Sequence, residues 1–286
     1  MATESQRRHL IQRAGFAGLL LATFATVAPI LLVVGLILWR AAPALSFEFL
    51  TASPREGMRA GGILPAIVGT FWLTLGTAAV AVPFGVGAAI YLAEYAPDSR
   101  WTRAIRIAII NLAGIPSVVY GLFGLGLFVL FLGFGTSILA GSLTLAIMTV
   151  PVIISTTEEA LRAVPQSFRA VSISLGGTQW QTVRRIVLPQ ALPGILTGVI
   201  LGLERAAGET APILFTAAAF FLPRLPNSPF DATMALPYHL FVISTQVPGM
   251  PIDVQYGTAA VLLVFVLGMN LVATVIRSRA RARRQW

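Results

Sequence analysis

The chain has no lysine: all 20 of its basic residues are arginine. A P-loop nucleotidase needs a lysine to reach the terminal phosphates of its nucleotide, so ATP hydrolysis through a Walker A loop is excluded for this polypeptide. Cysteine is absent too, which removes disulfides and thiolate metal sites, and the two histidines, His9 and His239, are too isolated to form a ligand cluster. Charge of either sign is scarce. Only 11% of the 286 residues are charged against 56% hydrophobic, and the mean hydropathy is +0.82, where a soluble domain carries about 25% charged residues. Such a composition belongs in a bilayer. Nothing in it resembles a Ser-His-Asp triad, a zinc box or a glycosidase carboxylate pair, so the chain is expected to be neither an enzyme nor the holder of a metal or cofactor.

Uncharged runs cover residues 16–39, 61–93, 107–157 and 254–276, against a need of about 20 residues per helical crossing. The run from Ile107 is long enough for two crossings and breaks at Gly133-Phe134-Gly135-Thr136-Ser137. A further crossing starts near Ala191 and is expected to run past Glu209 to about Phe221. The expected fold class is therefore an all-α integral membrane protein with six transmembrane helices. Residues 234–247 are read as a short helix lying on the membrane, not as a seventh span. The first run exceeds the about 7 to 15 residues of a secretory signal core and is read as a retained anchor.

Six crossings put both ends on one side, and arginine shows which. Arg7, Arg8, Arg13, Arg100, Arg103, Arg106, Arg162, Arg169, Arg184, Arg185, Arg277, Arg279, Arg281, Arg283 and Arg284 fall on one face, whereas Arg40, Arg55, Arg59 and Arg224 fall on the other. The positive-inside rule then predicts a multi-pass membrane protein with both termini cytoplasmic. The net charge of +9 sits at membrane borders without interleaved aromatics, so it predicts contact with lipid headgroups and no nucleic acid. Residues 1–61 then hold the cytoplasmic N-terminus, first anchor and outer loop, 62–277 the membrane core, and 278–286 a basic cytoplasmic tail.

Residues 169–190, RAVSISLGGTQWQTVRRIVLPQ, are polar and twice broken inside this apolar chain. The pair Gly176-Gly177 lets the backbone turn, and Leu188-Pro189 either ends a second short helix or begins the next. Helix, sharp turn, helix on the cytoplasmic surface is the expected shape. Gly176, then nine residues, then Ile186-Val187-Leu188-Pro189 resembles the coupling motif of the membrane subunits of binding-protein-dependent ABC importers. In that family Glu-Ala-Ala begins six residues before the glycine; here the site reads Ala170-Val171-Ser172, and Arg169 or Glu159 is the candidate substitute for the absent acid. The resemblance implies a type I importer permease fold with a coupling helix, and assigns ATPase coupling to Arg169, Ala170, Gly176, Gly177, Thr178, Trp180, Leu188 and Pro189.

The second constellation lies in the fifth span. Glu204, Arg205 and Glu209 fall roughly 20 to 27 Å along that helix at 1.5 Å per residue, where an ionisable group costs about 2.5 to 3.5 kcal/mol and must face a cavity or a partner. Arg205 and Glu209, at i and i+4, share a face. They form either a structural pair that fixes helix register or an anion site in which the guanidinium grips a tetrahedral oxyanion through parallel hydrogen bonds. Glu204 faces a different neighbour on the same helix.

The segment ERAAGETAPILFT from Glu204 resembles the signature span of the PstA family of phosphate-specific importer permeases. Gly114-Ile-Pro-Ser-Val-Val-Tyr-Gly-Leu-Phe-Gly124, Gly62-Ile-Leu-Pro-Ala-Ile-Val-Gly-Thr70 and Tyr91-Leu-Ala-Glu-Tyr-Ala-Pro97 are similar to further stretches of that family. This resemblance implies an inorganic phosphate importer, with a translocation path through Arg205, Glu209, Glu204 and Thr210. It also implies a PstC-like sister permease, two PstB-like cytoplasmic ATPase subunits carrying ATP and Mg, and an external phosphate-binding protein. Phosphonate or sulfate are alternative cargoes. A secondary transporter would call for inverted repeats or a gating charge series, and neither is found.

Overall fold

A computed structural model describes residues 2–282; Arg283 and Arg284, and the side chains of Arg7, Arg8 and Arg281, lie outside the described residues. Long apolar runs with few charges can satisfy their backbone in lipid only as helices, and the chain is built accordingly. Helix α1 (Ala2–Ala41) leads to a short α2 (Phe47–Thr51), capped where the Ser46 hydroxyl accepts the Phe49 N–H. A two-stranded hairpin follows, β1 (Pro54–Arg55) against β2 (Ala60–Gly61), with Pro54 opposite Gly61 and Arg55 opposite Ala60. Helix α3 (Leu64–Ile90) begins with Pro65 in its first turn and runs into a π-type turn over Tyr91–Tyr95. Helices α4 (Arg100–Ala113) and α5 (Ser117–Gly124, prolonged by a π-type stretch Leu125–Phe131) are bent 100° to one another. Helix α6 (Ile138–Arg162) is followed by α7 (Gln166–Ser174), α8 (Gln179–Thr182), α9 (Leu188–Gly208), α10 (Ala211–Thr216), α11 (Leu236–Thr245) and α12 (Ile252–Ala282).

Five helical stretches are long and apolar enough to cross a membrane, Gln12–Ala41, Leu64–Tyr95, Ile138–Arg162, Gln179–Gly208 and Ile252–Arg279, and the bent pair α4–α5 makes a sixth. The six crossings read from the sequence are thus present, with one redrawn. The turn after Phe131 is where the glycines place it, with Gly133 and Gly135 both at positive φ. A second corner at Gly114-Ile115-Pro116 assigns 107–113 to α4, and Pro116 caps α5 in an extended conformation, φ −57° and ψ 138°. Pro116 therefore makes a fixed corner. Helix α11, only 10 residues long, cannot span, and it is packed into the protein by Leu236, Tyr238, His239, Val242 and Ile243.

The centre of the bundle is α6, of which 67% of the most apolar window is buried, compared with 6% for α12 and none for α1. Lipid supplies no hydrophobic drive between helices, so small residues let the backbones approach. A Cβ on Gly85 would lie 2.7 Å from Ile153, on Gly202 2.8 Å from Thr149, and on Gly194 2.6 Å from Ala160. Gly121 and Gly124 are likewise closed in by Phe215 and Thr144, whereas Gly126 faces open space. Buried threonines between these helices return their hydroxyls to the carbonyl four residues back, as Thr74 does to Thr70 and Thr149 to Leu145, whereas the buried Thr157 hydroxyl meets no partner among the described residues.

Opposite the arginine-rich end, residues 217–235 fold over α6. Ser137 N–H donates to the Thr216 carbonyl and Ile138 N–H to that of Asp231. The Asp231 carboxylate accepts the Asn227 and Ser228 N–H groups, and the Asn227 bond first, then Ser228 and the charge of Arg224, hold it below the usual carboxylate range.

Candidate coupling surface and translocation site

The segment 169–190 is a helix, a sharp turn and a second helix. Helix α7 stops because Gly176 takes φ +81°, a left-handed conformation that glycine adopts without Cβ cost. The Gly176 N–H then reaches the Ile173 carbonyl at 2.9 Å and the Gly177 N–H the Ser172 carbonyl at 3.0 Å. Helix α8 starts in a capping box: the Thr178 hydroxyl accepts the Gln181 N–H at 3.2 Å while the Gln181 side chain accepts the Thr178 N–H at 3.0 Å. The hydroxyls of Ser172 and Thr182, 2.7 Å apart, tie the two helices together. No break follows at Leu188-Pro189. Instead a π-type turn over Val183–Val187 carries α8 into α9, and Pro189 sits in the first turn of α9, where its missing N–H is tolerated.

What this segment exposes is apolar. Leu175 is 84% exposed and Trp180 54%, and Val171 and Ile173 are exposed beside them, flanked by Arg184 and Arg185. Ala170, Gly176 and Thr178 share the exposed side, and Gly177 is half-buried against Ser172. Leu188 departs from the expected contact set: it packs inward on Leu161, Val164 and Val187.

Arg169 departs further. Its side chain is 13% exposed, and it grips Glu94, 7% exposed, through Nε to Oε2 at 3.1 Å and Nη2 to Oε1 at 2.6 Å. Nη1 also donates to the Val164 carbonyl at 2.7 Å and Nη2 to that of Leu161 at 2.9 Å. Four of its five N–H donors are thus engaged inside the protein, away from the ATPase-facing surface where Arg169 was expected to stand in for the absent acid. Glu159 stays exposed at the end of α6. Glu94 itself was singled out only as part of the 91–97 resemblance. The available signal is its place as the first charge after the long run 61–93.

In the fifth span, α9 ends at Gly208 and Glu209 is extended, with φ −75° and ψ 134°. The continuous crossing to about Phe221 is thus replaced by a break, after which Thr210 begins the short α10. Gly208 before the break and Pro212 after it supply the physical reason. Arg205 and Glu209 still meet, Nε to Oε1 at 3.3 Å, with side chains 40% and 18% exposed. Tyr120 of α5, buried and donating its hydroxyl to the Leu112 carbonyl at 2.7 Å, lies within electrostatic reach of Arg205. Thr210 is half-buried beside the pair. Glu204 is not part of it. Its side chain lines a groove of about 440 Å³ between α3, α9 and α12, walled by Phe71, Thr74, Phe265 and Met269, where its Oε1 meets no partner among the described residues.

A membrane bundle with a capped, apolar, surface-exposed helix pair at its arginine-rich end is the architecture of an importer permease. The chain belongs to the family of binding-protein-dependent transport system inner membrane components, whose model matches residues 81–284. Among its relatives, the probable ABC transporter permease protein YqgI of Bacillus subtilis (strain 168) is 37% identical over 244 residues, covering 80% of this chain and 82% of the relative. The phosphate transport system permease protein PstA 1 of Mycobacterium tuberculosis (strain ATCC 25618 / H37Rv) is 38% identical over 228 residues, covering 79% and 73%. The fold is shared with a bacterial ABC transporter involved in the import of the acidic polysaccharide alginate, at a TM-score of 0.66 and 15% identity over 90% of this chain and 94% of that one.

Proposed function

We propose that this chain is the membrane-spanning permease subunit of an ATP-driven inorganic phosphate importer, forming part of the translocation path and coupling it to separate ATPase subunits. The observation that carries the reading is the coupling segment: an apolar docking face fixed by Gly176 and the Thr178–Gln181 cap, on a chain that has no lysine with which to hydrolyse ATP. Relatives named as phosphate transport permeases support phosphate as cargo. Arg205 supports an anion path chemically, since its Nε is engaged by Glu209 while its two terminal nitrogens make no hydrogen bond among the described residues. The functional complex pairs this chain with a PstC-like sister permease, two PstB-like ATPases that hold ATP and Mg, and an external phosphate-binding protein. It sits in the plasma membrane with both termini and the segment 169–190 in the cytoplasm.

The test is phosphate uptake in cells lacking their own high-affinity system, with this chain co-expressed with its neighbouring importer genes. ATP-dependent uptake that excess sulfate or phosphonate does not compete away supports the reading. Uptake driven by an ion gradient without any ATPase overturns it.

A further inference from the structure

The arginine-rich end of α3 is held from several sides. Its π-type turn presents the Glu94 carboxylate and the Leu92 and Glu94 carbonyls. Arg169 of α7 takes the carboxylate with two donors and caps the end of α6 through the Leu161 and Val164 carbonyls. Gln179 of α8 donates Nε2 to the Glu94 carbonyl at 2.5 Å. From the far side, Arg106 of α4 donates to the Leu92 carbonyl at 2.8 Å and to Glu158 of α6 at 2.8 Å, and Glu158 also receives Arg162 at 2.8 Å. Helix α7, by contrast, has no buried residue, and Phe168 is its half-buried apolar contact. The attachment of α7 to the membrane body therefore runs largely through polar bonds onto α3 and α6.

We propose that Glu94 and Arg169 form a lock that makes the inner end of the second span move as one body with the coupling helices. Displacement of α7 and α8 by an ATPase subunit is then delivered to α3 as well as along α9. The proposal rests on the coupling reading above. The character of the bonds makes the lock a stiff route. Its bonds are bidentate and shielded from water, so separating the partners strands a charge on each side. Glu94 and Arg169 touch neither cargo nor nucleotide; they are positioning residues.

The experiment measures phosphate imported per ATP hydrolysed by the complete importer reconstituted in vesicles, at matched subunit content. Glu94→Gln keeps the shape and removes the charge; it should leave basal ATP hydrolysis intact and lower the ratio about fivefold or more, the usual scale of a coupling term. The exchange Glu94→Arg with Arg169→Glu should recover part of that loss. Gln179→Ala, which leaves the ion pair in place, should lower the ratio about twofold, the worth of one modest hydrogen bond. An unchanged ratio in Glu94→Gln overturns the lock. Should that variant fail to assemble, an unchanged ratio in Gln179→Ala overturns it. A parent importer that moves another oxyanion would strike the phosphate reading, and the same ratio measured with that cargo still tests the lock.

Discussion

Gly176 offers a sharp test because its neighbourhood separates backbone strain from crowding. A Cβ placed there meets nothing within 4 Å, yet the residue stands at φ +81°. Any loss on substitution is therefore the cost of the left-handed conformation alone, about 1 to 2 kcal/mol for an ordinary L-residue and less for asparagine. The turn relieves that strain by giving up the Gly176 N–H bond to Ile173 and the Gly177 N–H bond to Ser172, which rotates α8 away from α7. A local penalty of that size shifts the population of the docked turn by about 5 to 30-fold. ATP-dependent phosphate uptake, normalised to membrane abundance, should fall in the order glycine, asparagine, alanine, valine, with alanine losing most of the rate. Gly177→Ala serves as the steric contrast, since its Cβ would stand 2.9 Å from both the Ser172 carbonyl and hydroxyl. An asparagine variant as poor as valine, or a series with no effect, would refute the argument that the turn's handedness positions the docking face.

Arg205→Gln should abolish phosphate uptake with the complex still assembled. Arg205→Lys discriminates further: a register-fixing pair with Glu209 survives in the lysine variant, whereas an oxyanion grip needs the planar fork and is lost, so full uptake by Arg205→Lys removes Arg205 from the path. His239 makes the protein acid-sensitive. Burial lowers its pKa from 6.5 to about 4, so the native ring stays neutral while the unfolded one takes up a proton. Its contribution is complete above about pH 6.5 and drains away as pH falls toward 4, by about 3 kcal/mol at most. Between pH 7.5 and 5.5 the melting temperature of the detergent-purified protein should drop more for the parent than for His239→Asn, and equal drops would contradict the assignment.

The six crossings and the place of the coupling segment were legible because both depend on local signals, long uncharged runs and a Gly-Gly turn among arginines. What sequence did not disclose was where runs bend. The corner at Gly114-Ile115-Pro116 hides inside a continuous apolar stretch, because an amphipathic helix such as α4 ends in the same residue types as a span. The break at Glu209 hides for the opposite reason: an i, i+4 pair of opposite charges reads as helix, and here the pair bridges a helix end. Most hidden of all was the partner of Arg169. Glu94 lies 75 residues away in the chain, and no periodicity connects the end of one span to the start of a surface helix beyond the next two.

The two arginine–glutamate pairs, one buried and one open, show why the residue types alone could not assign the roles. Arg169 engages Nε, Nη1 and Nη2 in four hydrogen bonds, and neither it nor Glu94 has appreciable access to solvent. A guanidinium with four of its five N–H donors engaged has little left for a passing anion and a large cost of rearrangement, which suits a joint that must carry load. Arg205 engages Nε once, at 3.3 Å, and its side chain is 40% exposed. Its two terminal nitrogens make no hydrogen bond among the described residues, and the long bond to Glu209 is one that an arriving anion can displace and a departing anion can restore. The same chemistry suits a fastener when saturated and an anion receptor when left unsaturated. Burying Arg205 more tightly against Glu209 should therefore stabilise the span and slow transport together, an outcome that a purely structural pair does not produce.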